Sequence, residues 1–231
     1  MNKISYFDTP DQMAKAAADL IGKLSTDAIR QSGRFCIALS GGNTPATLYT
    51  LLAKEPYCSS IDWKNIYFFW GDERCVSADS NDNNSHNAKK VLLDMVPVPT
   101  ENIFPIPVNL PPAEAAAQYM QTLEDFFKDL SPKFDLILLG MGDNGHTASL
   151  FPHTSILQEA KATVCEVYVE EVKMYRISFT AALINQAAYI LFLVAGKDKA
   201  PMLKIVLDGP YEPENYPAQL IKDAGWYISQ T

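Results

Sequence analysis

The stretch FDLILLGMGDNGHTASLFP, residues 134–152, passes directly from a near-continuous apolar run into a glycine-rich polar turn. Phe134 to Leu139 has the length and aliphatic content of a strand buried on both faces. The turn after it sets Gly140, Gly142 and Gly145 around one histidine, His146. Working outward, the same change recurs in LSGGNTP (39–45), FFWGDER (68–74) and FLVAGKDKA (192–200). A strand apolar on both faces needs cover on both, and crossover helices supply it. The expectation is an α/β chain: three layers, α/β/α, around a mostly parallel central sheet, in one domain over residues 1–231. In such a sheet the four polar ends meet on one edge, where sites gather.

The remaining pattern fills in the elements. A helix is expected from Thr9 to Gly33, with Thr9 or Asp8 as cap, Pro10 in the first turn and Gly33 as stop. Buried strands are expected at Arg34–Leu39 and Ile66–Trp70, and a helix over ATLYTLLAK. SADSNDNNSH reads as a polar loop leading to a helical NAKKVLLDMV. The proline-rich VPVPTENIFPIPVNLPP (96–112) reads as an irregular connector, with Ile103 to Ile106 as a short edge piece. Beyond it come a helix from Ala113 to about Leu130, β-forming residues at 163–169 and 176–179, and a short helix in TAALINQAA. YILFLVAG and GWYIS read as strands, and Lys197 to Leu207 as a helix.

The chain has 231 residues, 48% of them hydrophobic, enough for a sizeable core. A formal charge of -8 argues against a broad basic face for nucleic acid or acidic lipid. Asp and Gln interrupt the first twenty residues where a signal peptide needs apolar sequence, and no run approaches about 18 apolar residues. Cys36, Cys58, Cys75 and Cys165 stand singly, which points to reduced thiols and the cytoplasm. No feature bears on oligomeric state.

Chemistry concentrates at the strand ends. In SGGNTP, Gly41 and Gly42 permit close backbone approach, and Ser40, Asn43 and Thr44 offer hydrogen bonds near a helix start, a setting for an anion. The motif lacks the GK[ST] ending of a P-loop. GDER places Asp72, Glu73 and Arg74 together, and an arginine there can grip phosphate or carboxylate by two parallel bonds. His146 carries the side chain best suited to proton transfer near neutral pH. His86 and His153 lack zinc-ligand spacing, so no metal or cofactor is expected. Ser40 and Ser149 lie outside a G-x-S-x-G elbow and the cysteines lack an activating partner, so a hydrolysis would use water directly. Arg176, opening RISFT, and Lys199 are further cations able to meet an anion.

In order and along nearly the whole chain, SGGNTPATLY, WGDER, FDLILLGMGDNGHTASLFP and the RISFT…GKDKA pair resemble the 6-phosphogluconolactonase family. The related glucosamine-6-phosphate deaminases carry a similar GH turn with a different ending that contains a glutamate, whereas Leu150 and Phe151 stand here. The resemblance implies the three-layer fold shared with sugar-phosphate isomerases and deaminases, and hydrolysis of 6-phospho-D-glucono-1,5-lactone in the oxidative pentose phosphate route. It implies His146 as general base with Asp72 as the second catalytic residue, Arg74, Asn144 and the SGGNT turn as substrate contacts, and Arg176 and Lys199 as phosphate clamp. Asn144 departs from the family's frequent aspartate, which leaves Asp143 or Asp72 to supply that carboxylate. Two other readings remain open: an aminosugar-phosphate deaminase or isomerase in which Asp72 and His146 move protons, and a non-catalytic sugar-phosphate sensor.

Overall fold

The computed structural model describes residues 3–128 and 132–230. Its elements run β1 (Lys3–Phe7), α1 (Pro10–Ser32), β2 (Phe35–Leu39), α2 (Asn43–Leu52), α3 (Tyr57–Ser60), β3 (Ile66–Trp70), β4 (Asp72–Arg74) and α4 (Asn84–Ala88). They continue α5 (Pro112–Phe127), β5 (Leu136–Leu139), β6 (Val164–Val169), β7 (Met174–Phe179), α6 (Ala181–Ile184), β8 (Ile190–Ala195), α7 (Ala200–Asp208) and β9 (Gly225–Ser229). Local chemistry sets the ends of α1 as expected. The Thr9 side chain accepts from the Gln12 N–H, Pro10 opens the first turn, and Gly33 takes φ 79° while donating to the Ile29 carbonyl.

Six strands form one parallel sheet in the order β1-β9-β8-β5-β2-β3. The four strands with polar ends are therefore neighbours, and those ends share one edge. Side-chain alternation divides the helices between the faces. Ile21 of α1, Tyr49 and Leu52 of α2, and Leu92 beyond α4 meet Phe35, Ile37 and Phe68 on one face. Phe69 points the other way, stacked on Phe104 at 4.7 Å and edge-on to Phe126 of α5 and to Phe134. Truncating the fully buried Phe69 to alanine costs about 3–5 kcal/mol by the usual large-to-small scale.

A second, three-stranded antiparallel sheet, β4-β7-β6, stands beside the first. The β-forming runs at 163–169 and 176–179 belong to it, together with GDER, which the sequence presents as a strand end. Gly71 joins the sheets: its N–H donates to Leu39 of the large sheet, and its carbonyl accepts from Phe179 of the small one.

Several boundaries differ from expectation. β1 is a strand that the local pattern does not announce, since it forms by pairing with β9. α4 starts at Asn84, inside the expected loop, because Asn83 caps it by accepting from the His86 N–H. Ile103 makes a single parallel bridge to Phe68 rather than a longer edge piece. α5 ends at Phe127, and Leu130 lies outside the described residues. Beyond the His146 turn Thr147 bridges to Leu150, and the next helical turn is Ser155–Gln158. Among the described residues no helix is long and apolar enough to cross a membrane.

Candidate active site

From β2 the chain runs to β3 on one side and then returns to β5 on the other, so the crevice beyond the carboxyl ends of β2 and β5 is a topological switch point. A cavity of about 330 Å³ opens there, lined by Ser40, Gly41, Asp72, Arg74, His146 and Arg176. Gly42 and Asn43 line an adjoining cavity of about 450 Å³, which shares Ser40, Gly41 and Arg74 with the first. Thr44 lines neither and sits in the first turn of α2. Asn144 and Lys199 line neither cavity. A larger groove, about 780 Å³, runs between α1, α2 and α3. In its wall Asp19 accepts from both Lys15 and Tyr57.

The turn after β5 is built around the imidazole. A Cβ on Gly142 would lie 2.0 Å from His146 Cε1, so only glycine leaves room for the ring. Phe151 stacks on its face, with ring centres 3.9 Å apart. Asn144 Oδ1 accepts from the His146 backbone N–H and lies 2.6 Å from Nδ1. The Asn144 Nδ2 donates to Glu171 Oε2 at 2.8 Å, which fixes the amide with its oxygen toward the histidine. Nδ1 must then carry the proton, and Nε2 keeps its lone pair. Burial, with Arg176 and Lys199 adding to it, pulls the imidazole down to about 4, against the opposing charge of Asp143. The ring is neutral at pH 7.

That geometry corrects one expectation. Asp143 pairs with Lys199 and Asp72 accepts from Ser149 Oγ at 2.6 Å, so neither bonds to the ring. Asn144 itself orients the histidine, and the carboxylate behind it is Glu171, from the turn between β6 and β7.

The small sheet brings the cations. Arg74 and Arg176 are direct partners across the β4–β7 ladder, an arrangement of like charges that is unfavourable unless an anion joins them. Arg74 Nη1 donates to the Asp82 carbonyl at 2.6 Å. The Nε atoms of both arginines are buried without a hydrogen-bond partner among the described residues. Lys199 is held in its ion pair with Asp143 instead of facing the cavity.

Sequence reasoning passed over Asn84 and Glu171, both of which line the cavity. Asn84 sat in an asparagine-rich run that reads as a loop, although Asn83 carried a cap signal. Glu171 is one of two acidic residues in a hairpin turn and bears no local mark of function. Glu73 is fully buried and accepts from the N–H groups of Arg74, Asn84 and Ser85. Burial pushes its carboxyl up to about 7 despite those donors. Among the described residues no cluster of three or more His, Cys, Asp or Glu side chains is placed to hold a metal ion.

The family model for glucosamine-6-phosphate isomerases/6-phosphogluconolactonase matches residues 8–228. A 6-phosphogluconolactonase of Nostoc sp. is 43% identical over 223 residues, 94% of this chain and 90% of that protein. One of Haemophilus influenzae is 39% identical over 198 residues, 84% of each. Among solved structures, the 6-phosphogluconolactonase from Trypanosoma cruzi superposes with a TM-score of 0.87 at 26% identity, covering 99% of this chain and 94% of that one.

Proposed function

The chain belongs to the glucosamine-6-phosphate isomerase/6-phosphogluconolactonase family, and on that premise we propose that it hydrolyses 6-phospho-D-glucono-1,5-lactone to 6-phosphogluconate in the oxidative pentose phosphate pathway. The observation that carries this reading is a neutral histidine, with its tautomer fixed, facing the same cavity as two opposed arginines.

In this reading His146 Nε2 takes a proton from water as the water oxygen bonds to the lactone carbonyl carbon. The tetrahedral oxyanion meets N–H donors of the glycine turns, which need no reorganisation as charge develops. As it collapses, the bond from C1 to the ring oxygen breaks and His146 returns its proton to that oxygen. The products are a C1 carboxyl and a C5 hydroxyl. Asp72, anchored by Ser149, lines the same cavity.

The phosphate dianion sits between Arg74 and Arg176 and holds the carbonyl at the histidine. Its arrival does a second thing. The positive charges of Arg176 and Lys199 help depress the imidazole, so a bound anion offsets them and raises His146 toward the range where it is an effective base. The four free thiols support a cytoplasmic setting.

The test is loss of freshly generated lactone at slightly acidic pH, with chelator present and glucosamine 6-phosphate run alongside. Protein-dependent acceleration of lactone opening without ammonia release is expected. Ammonia release, or no acceleration over spontaneous opening, would overturn the reading.

A further inference from the structure

The turn after β2 is held from behind by a side chain of α2. Tyr49 is buried, and its ring lies with Ile37 and Leu39 of the large sheet and with Leu52 of its own helix. The Tyr49 hydroxyl accepts from the Ser40 N–H at 3.1 Å and donates to the Ser40 carbonyl at 2.8 Å. One side chain thus satisfies both backbone groups of Ser40, at the point where β2 leaves the sheet. Burial raises the hydroxyl well above its ordinary range, so it keeps the proton that the second bond needs.

The next two amides are left open. The N–H groups of Gly41 and Gly42 donate in no hydrogen bond among the described residues. Gly42 stands at the cap of α2, where no side chain accepts from the first turn, so N–H groups at the helix start are open too. These groups can be reached: Gly42 is exposed and Gly41 half-buried. Gly41 lines both cavities, beside Ser40 and Arg74, and Gly42 lines the adjoining one. Gly42 also holds φ 103°, a path that glycine allows without fixing. The path is fixed from outside, by Tyr49 on Ser40 and by the Ala46 N–H donating to the Gly42 carbonyl.

Open N–H groups at a helix start select an anion. We propose that Tyr49 is a positioning residue: by holding Ser40 it sets the Gly41–Gly42 turn so that its amides receive an anionic oxygen of the substrate. This rests on the lactonase reading, whose substrate offers two such oxygens, one on the phosphate and one on the oxyanion formed at C1. Either needs its donors in place before it arrives, and a turn free to relax would have to be ordered at that moment. Tyr49 touches neither oxygen and acts through Ser40.

Tyr49→Phe keeps the ring and removes the hydroxyl. Calorimetry with inorganic phosphate, beside kcat on saturating lactone, tells the two oxygens apart. If the turn holds the phosphate, affinity for inorganic phosphate should weaken about 10-fold while kcat changes less than about twofold. If it meets the oxyanion, kcat should fall about 10-fold with phosphate affinity kept. Either split supports the proposal. No change beyond about twofold in both readings overturns it, and so does a loss spread evenly over the two, which marks a merely structural role. Should the variant fail to fold, amide NMR of the parent decides: the Gly41 and Gly42 resonances must move when 6-phosphogluconate is added, and unmoved resonances overturn the proposal. A parent that binds phosphate but opens no lactone fails the lactonase reading instead, and the phosphate arm then decides on Tyr49 alone.

Discussion

The two sheets meet at Gly71 and differ in what they bury. β2 and β5 of the large sheet are buried along their whole length and wholly apolar. β4 of the small sheet is Asp72, Glu73 and Arg74, with Arg176 opposite on β7, so four ionisable groups stand within a few residues of ladder. The large sheet is held by area removed from water, which is insensitive to charge and can anchor a strained turn such as that around His146. The small sheet depends on mutual compensation: Glu73 is satisfied by three N–H groups, and Arg176 gains from Asp72 part of what burial takes away. Base and cations thus come from regions stabilised by different physics, and they can be altered separately.

The strongest break in that division is His146→Asn. It leaves the large sheet's packing in place and removes the base, and kcat should fall by about 1,000-fold while 6-phosphogluconate still binds. Near-parental kcat would mean that the turn positions a base located elsewhere.

Next in size is Arg176→Met, which acts from the small sheet upon the large one. A drop of about 100-fold in kcat/KM is expected from the lost anion contact. The sign of its second effect is fixed. Arg176 disfavours the imidazolium, so its removal should raise His146 from about 4, and the acid limb of kcat/KM should shift to higher pH. NMR titration of the ring reads this directly. An unmoved or lowered value would show that the small sheet's charge does not reach the histidine.

The smallest effect sharpens the comparison. Glu171→Gln keeps an acceptor for Asn144 but removes the carboxylate charge from an exposed position. A fall of about threefold in kcat, with KM unchanged, is expected if Glu171 acts through Asn144 on the ring. A change confined to KM would assign Glu171 to substrate contact instead.

Legibility in the sequence follows the same boundary. Helix α1 was readable end to end because Thr9, Pro10 and Gly33 act on their own backbone. The four polar strand ends were readable because an apolar run that stops at glycine is a local pattern, and parallel pairing then brought them to one edge. Strand β1 was not, because KISYF becomes a strand only by pairing with residues 225–229. GDER was seen as a charged strand end, and its place in a second sheet depended on β7, about a hundred residues away. At the site, His146, Asp72, Arg74, Arg176, Ser40 and Gly41 were foreseen and do meet in one cavity. Thr44 and Lys199 were foreseen and do not reach it, the first because it is taken into α2 and the second because Asp143 holds it.

By itself, then, the sequence determined the layered α/β plan and the turns that gather at one edge, since hydrophobic periodicity and glycine's backbone freedom act over a few residues. Only the tertiary structure decided that two arginines stand opposed and that Glu171 through Asn144 sets the histidine's tautomer. Each of these depends on a hydrogen bond or a charge separation of a few ångströms between elements far apart in the chain. Distances of that kind are fixed by how the two sheets pack against each other, and no local pattern of residues encodes them.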